Sequence, residues 1–439
     1  MKARLVPLAF PGRDEEFDTQ VNNLKTLLVD EAEILDPVVL GEPLSDCDAV
    51  VFPQVLGDAY RQLDEFIKLD MPILFITSEF GTVSMWDWEI ASYLRTKGID
   101  TIAPYNLEQT KMICRALAVK RELKASKFLV FQDNPGEGFQ ASIFKRFYWW
   151  EDECIQRMLA KFGITIEKKS FKEFGGAAQA IPDEEAEAVW DEWKDSLKLV
   201  GLNDRSRLSA LKIYILLKRH LEADPAIKSI GINCLNESHY SDTTPCLAWN
   251  MLFEEKELIW GCEGDIVSML TKYILYKSLR VPIMMTNLYP FLMGQAALKH
   301  ERIPYFPETD DPDNHILAAH CGYLGVLPQS MSTDWEVRPK VLAIVDDNAH
   351  ALNARMQAGA ITLAKFKPGF ESLSVIEGDI TGYAQYSDSD CLNGAVLKVP
   401  DGHKLLREIS SHHYLLLSGH NLPDIEMLAK IFDFKIDQL

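Results

Sequence analysis

With 439 residues the chain is too long for one ordinary hydrophobic core, so two or three domains are expected. Its 45 Lys and Arg stand against 65 Asp and Glu, and the resulting formal charge of −20 repels phosphate backbones and anionic lipid, which argues against nucleic acid and membrane surfaces as partners. A solvated acidic surface accounts for most of that charge, although it also favours holding a divalent cation.

At the N-terminus the apolar run before Arg13-Asp14-Glu15-Glu16 is too short for a secretory signal, and no later run reaches the roughly 18 apolar residues of a membrane span, so a cytoplasmic location is expected. Residues 1–122 then alternate apolar runs (4–10, 49–52, 72–76, 101–103) with helix-period segments (18–28, 58–69, 85–97). That alternation predicts a parallel sheet wrapped by helices, with the loops after the strands facing a ligand crevice. In one such loop Glu79, followed by Trp86 and Trp88, offers hydrogen bonding and stacking to a polyhydroxylated ligand; helix capping by Glu79 and packing by the tryptophans is the alternative.

A second α/β domain spans 123–300. Its first strand is 127–131, and the glycine-containing loop 132–139 matches neither a dinucleotide fingerprint nor a phosphate-binding loop. Residues 145–150 read as a packed helix with snorkelling cations, or as a ligand or subunit contact. An acidic helix over 181–193 starts at Pro182, and a packed helix over 205–221 leads to a strand at 229–233, where Gly231 weakens the strand or marks a close backbone approach. Next come Thr244-Pro245-Cys246-Leu247-Ala248, Cys262-Glu263-Gly264-Asp265-Ile266 and Met285-Thr286-Asn287, apolar runs that end in carboxylates and amides. A carboxylate such as Glu263 at the end of a buried element needs a partner or a metal. In the last domain, 301–439, the pattern becomes, from Arg338 on, short strands (341–345, 360–366, 373–380, 395–399) separated by Gly, Asp and Pro, which predicts an antiparallel, barrel-like β domain closed by His412-His413-Tyr414, a turn at Gly419 and a helix over 424–431. The eight cysteines show no CxxC pair or zinc spacing and read as reduced core thiols, Cys246 and Cys262 included.

The ordered set of the Thr244-Pro245-Cys246-Leu247-Ala248 segment, Cys262-Glu263-Gly264-Asp265-Ile266, His320-Cys321-Gly322, and His412-His413-Tyr414 followed by Gly419 resembles the L-fucose isomerase and L-arabinose isomerase superfamily, in particular its shorter fucose isomerase-like members. The resemblance covers the second half of the chain well and the first half only in architecture. It implies two α/β domains before a β-rich domain, a homo-oligomer with sites built from more than one subunit, a small sugar as substrate, and a divalent cation, usually Mn2+ with Mg2+ as the alternative. Carried over by motif, the ligands are Glu263 and His413, with His412 competing for the latter place. The second acidic ligand falls at Asn287, where this chain departs from the family pattern.

Aldose–ketose isomerisation through an enediol requires a carboxylate to move a proton and a cation to stabilise the charge that develops. Glu263 is the candidate for metal ligand and acid/base. Asn287 offers a carbonyl oxygen but neither charge nor a base, so Asp265 or Asp242 would have to fill that role, the reaction would have to differ, or activity would be lost. Each candidate has a plainer reading. Glu263 and Asp265 could be helix-start carboxylates, His320 a buried structural histidine, and His239 an exposed loop residue rather than a substrate contact. Strand alternation allows only one of His412 and His413 to face a site. A second function class is a cytoplasmic sugar-binding protein of the same fold without turnover.

Overall fold

Alternating apolar runs and amphipathic helices build two parallel sheets, and the Gly- and Asp-punctuated strands that follow close a barrel. The computed structural model describes residues 1–55, 59–133, 152–234, 237–290, 308–320, 325–340, 347–386 and 393–439. The predicted strand 341–345, the segment 145–150 and most of the loop 132–139 lie outside those residues. The chain divides into two compact units: Met1–Lys124 with Lys277–Leu279 and Pro423–Phe434, and Ala125–Tyr276 with Arg280–Leu422 and Lys435–Leu439.

In the first unit, β1 (Ala3–Ala9), α1 (Glu15–Leu27), β2 (Ala32–Ile34), β3 (Val38–Val39), β4 (Ala49–Phe52), α2 (Leu63–Phe66), β5 (Ile73–Phe75), α3 (Asp87–Thr96) and α4 (Leu107–Leu123) follow in order. The sheet runs β2-β1-β4-β5 with β3 beside the end of β1, all parallel. Strands β1, β4 and β5 are buried on both faces, as continuous apolar runs dictate, and α1 packs on the sheet with Phe17, Val21 and Leu24, one helical face. Asp14 caps that helix by accepting the Phe17 N–H at 2.9 Å. The helix expected over 58–69 is only a 3-10 turn, Ala59–Arg61, and the short α2. The strand expected over 101–103 is a single bridge, Ile102 to Leu74, cut short where Pro104 offers no ladder donor.

The second unit begins with β6 (Lys127–Phe131), α5 (Asp152–Phe162), β7 (Thr165–Lys169), α6 (Phe171–Gln179), α7 (Asp183–Trp193), α8 (Asp204–Ala223), β8 (Ile227–Ile232), α9 (Cys246–Lys256), β9 (Ile259–Cys262) and α10 (Ile266–Leu279). The parallel sheet runs β7-β6-β8-β9. Gly231 and Gly261 are register partners on β8 and β9, and a Cβ on either would strike Met269 of α10. The two glycines therefore let the start of α10 lie close against the sheet, so Gly231 marks a close backbone approach.

The rest of the chain forms β10 (Ile283–Pro290), β11 (His315–Ala319), β12 (Asp334–Pro339), β13 (His350–Arg355), β14 (Gly359–Phe366), β15 (Ser372–Ala384), β16 (Gly394–Lys398), α11 (Gly402–Glu408), β17 (His413–Ser418), α12 (Leu422–Phe432) and β18 (Lys435–Gln438). Six of these strands close an antiparallel barrel in the order β14-β17-β10-β11-β16-β15, with β15 pairing back to β14; β18 adds in parallel to β15, and β12 pairs with β13 apart from it. Strand β10, assigned from the sequence to the second α/β domain, is a barrel strand, because Ile283–Asn287 pair with Leu417–His413 far along the chain. Helix α12 packs with the first unit, where Asp424 accepts a hydrogen bond from Gln109 at 2.9 Å and Lys430 donates to Asp100 at 2.9 Å. No helix among the described residues is long and apolar enough to cross a membrane.

Gly394 tests the barrel closure. A Cβ there would overlap the Ala318 carbonyl oxygen across the β11–β16 pairing. Gly394→Ala is expected to destabilise the fold by about 1–3 kcal/mol or more, the usual cost of forcing atoms into a packed interior. Urea unfolding with an unchanged midpoint would show that the two strands are not held this closely.

Candidate metal centre

Strand β9 ends at Cys262, and the chain must turn into α10 within three residues. It does so through Glu263 (φ 56°) and Gly264 (φ 68°), both left-handed, before Asp265 caps the helix. Left-handed backbone at the buried, non-glycine Glu263 costs about 1–3 kcal/mol. The turn places the Glu263 carboxylate beyond the C-end of the parallel sheet rather than at the helix cap, which Asp265 occupies.

The barrel supplies the other side. His413, the first residue of β17, is the register partner of Asn287 on β10, and Asn287 is also the partner of Ala319, the last residue of β11. His320 follows at once. Directly opposed residues project from the same face of a sheet, so Asn287 and His413 leave it together. Glu263, His320 and His413, all buried, offer one ligand atom each within 4.8 Å of one another. Glu263 Oε1 lies 3.7 Å from His320 Nε2 and 3.8 Å from His413 Nε2. Two donors each about 2.1 Å from one ion stand at most about 4.2 Å apart, so these separations fit a shared divalent cation.

Behind His413 stands a second carboxylate. His413 Nδ1 donates to Asp265 Oδ2 at 3.0 Å. The other partners of Asp265 are the Ser268 backbone N–H (2.9 Å), the Ser268 hydroxyl (2.8 Å) and Lys365 Nζ (2.6 Å). Asp265 thus orients a histidine and caps a helix.

Charge states follow from burial and neighbours. Burial raises the Glu263 carboxyl, but hydrogen bonding to His413 and the charges of His413, His320 and His412 outweigh it and bring it to about 2, so Glu263 is ionised. Burial pushes His320 down to about 4 against the pull of Glu263, leaving a neutral imidazole. Burial likewise lowers His413, yet its bonds to Asp265 and Glu263 raise it overall. Asp265 is pulled below the usual carboxylate range despite burial, first by Lys365 and then by His413.

The donor set is the fit test for a metal. A carboxylate and two imidazoles suit a divalent transition ion, with an amide oxygen alongside. Among the described residues His320 Nε2 and Asn287 Oδ1 have no hydrogen-bond partner although both are buried, while the Asn287 amide donates to Tyr289 Oη at 3.1 Å. Buried orphaned acceptors are costly, and an ion or ligand at this position would satisfy them.

The remaining candidates lie elsewhere. His412 stacks obliquely on His413, ring centroids 4.3 Å apart, and stays outside the trio, as strand alternation requires. His239 is exposed against Tyr240. Asp242 is held by Arg205 at 2.7 Å and Asn348 at 3.0 Å. Glu79 is exposed in the first unit, as are Trp86 and Trp88. The loops after β1, β4 and β5 there line a crevice of about 400 Å³ that includes Arg13, Gln54 and Asp87 but not Glu79. Sequence reading missed Lys365, whose signal was a lysine inside the otherwise apolar run of β14. It also gave His350 no role: buried and held neutral, this residue accepts the Leu247 N–H at 2.9 Å and so ties β13 to the start of α9.

No protein-family model matches the sequence, and no curated protein matches it. Fold and site define a class, an α/β protein with a closed antiparallel barrel and a buried Glu–His–His group where the barrel meets the turn into α10.

Proposed function

We propose that the chain is a metal-dependent sugar isomerase-like protein, an aldose–ketose isomerase of the L-fucose and L-arabinose isomerase type. One observation carries this reading: Glu263, His320 and His413, drawn from three separate segments that carry the resemblance, converge within 4.8 Å in a buried cluster. Manganese(II) is the ion the reading favours, with magnesium next, and bound there it would polarise sugar oxygens and stabilise the negative charge of an enediolate. Glu263 would hold the ion by its charge and is the carboxylate of the trio able to move a proton. His320 presents a neutral nitrogen donor, His413 would present Nε2 once its proton is given up to make room for the ion, and Asn287 places an amide oxygen beside them. A small sugar is the partner, and a homo-oligomer the expected assembly.

The neutral Asn287 favours a second reading, a sugar-binding protein of this fold without turnover. The two separate in a solvent hydrogen-exchange assay at the carbon next to the carbonyl, run over pentoses and deoxyhexoses with and without manganese. Exchange that needs manganese supports the isomerase; tight sugar binding with no exchange sinks it. Asn287→Asp is expected to tighten manganese binding about 10-fold, one added charge-assisted contact being worth about 1.4 kcal/mol. An unchanged titration would mean that residue 287 does not face the ion.

A further inference from the structure

The geometry points to Lys365 as a positioning residue that fixes which ring nitrogen of His413 faces Glu263 and His320; this rests on the reading of that trio as a metal centre. Lys365 is a barrel residue on β14, buried, with its ammonium 2.6 Å from Asp265 Oδ2 and hydrogen-bonded to the Ser268 hydroxyl on α10. Its stem is anchored by the next residue, since the Phe366 N–H donates to Thr271 Oγ1 of the same helix at 3.3 Å. Three donors therefore meet at Asp265 Oδ2: Lys365 Nζ, Ser268 Oγ and His413 Nδ1. The other oxygen, Oδ1, takes the Ser268 backbone N–H.

An ionised carboxylate only accepts hydrogen bonds, so a ring nitrogen held against it must carry the proton. With Nδ1 committed to Asp265, the lone pair of a neutral His413 lies on Nε2, the atom 3.8 Å from Glu263. A carboxylate behind a metal-binding histidine commonly sets tautomer and ring angle in this way. Here the carboxylate is itself clamped by a cation from a different element. Ser268 holds Oδ1 through its N–H and reaches Oδ2 with its hydroxyl, but that hydroxyl in turn accepts from Lys365 Nζ, so Lys365 fixes Oδ2 both directly and through Ser268 where β17 delivers His413. Barrel closure, which brings β14 beside β17, is thereby coupled to the donor geometry of the site.

The test is Lys365→Met, read in two ways on the full chain. Nitrogen NMR of labelled histidine in the metal-free protein at alkaline pH should show His413 passing from a single Nδ1–H tautomer in the wild type to a mixture in the variant. Titration with manganese should show affinity falling about 10–100-fold, as for other losses of support behind a ligand. If Lys365→Met does not fold because Asp265 is left buried and uncompensated, Lys365→Gln, which keeps Asp265 and offers it an amide donor without the cation, is read identically, with a smaller shift toward the tautomer mixture expected. A folded variant that keeps the single tautomer overturns the proposal and reduces Lys365 to charge compensation. Because the tautomer is measured without metal, its outcome is separate from that of the metal reading, which fails if the wild type binds no divalent cation.

Discussion

Glu263→Gln is expected to abolish divalent-cation binding, weakening manganese affinity by at least about 100-fold, beyond what loss of a supporting residue costs. The amide keeps the shape of the side chain and the left-handed turn at 263 but removes the formal negative charge from the trio, leaving the two imidazoles and the Asn287 amide. Isothermal titration checks it, and an affinity within a factor of a few of the wild type would remove Glu263 from the ligand set. The same variant has a stability signature. Because the Glu263 carboxyl lies at about 2, below its unfolded value of about 4.3, the stability it contributes is present above pH 4.3 and is lost as pH falls toward 2. Glu263→Gln carries no such group, so the metal-free wild type and variant should converge in thermal midpoint as pH drops through that window.

Lys272→Met is expected to stabilise the protein by about 1–4 kcal/mol, the range seen when buried charged groups give way to well-packed apolar ones. Lys272 is buried in α10 with Nζ 3.0 Å from the centre of the Trp260 ring, and among the described residues it makes no hydrogen bond. Burial, only slightly opposed by Cys262, holds its amine well below the usual lysine value. The unfolded chain therefore binds a proton at Lys272 that the folded chain resists. That penalty is absent above about pH 10.4, grows as pH falls below it, and levels off below the folded value. The advantage of Lys272→Met should accordingly be large at neutral pH and shrink toward pH 10, as differential scanning at two pH values would show. A methionine variant less stable than the wild type at neutral pH would mean that the amine's contact with Trp260 outweighs its desolvation.

The parts of the site divide by how local their causes are. Glu263 was legible as a candidate because a carboxylate ending an apolar run is a one-dimensional signal, and the plainer alternative, a helix cap, belongs to Asp265. Alternation along β17 limited the site to one of His412 and His413, but which one depends on the register with β10, where His413 meets Asn287. His320 needed the pairing of β11 with β10 before it could be placed beside them. Lys365 stood in plain view as a cation in a core strand; its partner lay 100 residues away, beyond any periodicity.

By itself the sequence determined the local matters: an acidic surface, an alternation of strand and helix that could only become parallel sheets, a run of short punctuated strands from Arg338 on, and Glu263 at the end of a buried element. These follow from side-chain period and turn chemistry, which act over a few residues. The tertiary structure alone decided the rest: that β10 belongs to the barrel, that α12 packs with the first unit, that His413 lies beside Glu263, and that Asp265 contacts both His413 and Lys365. Each of those depends on pairing between distant segments, and pairing is set by which faces must be buried together once the barrel closes.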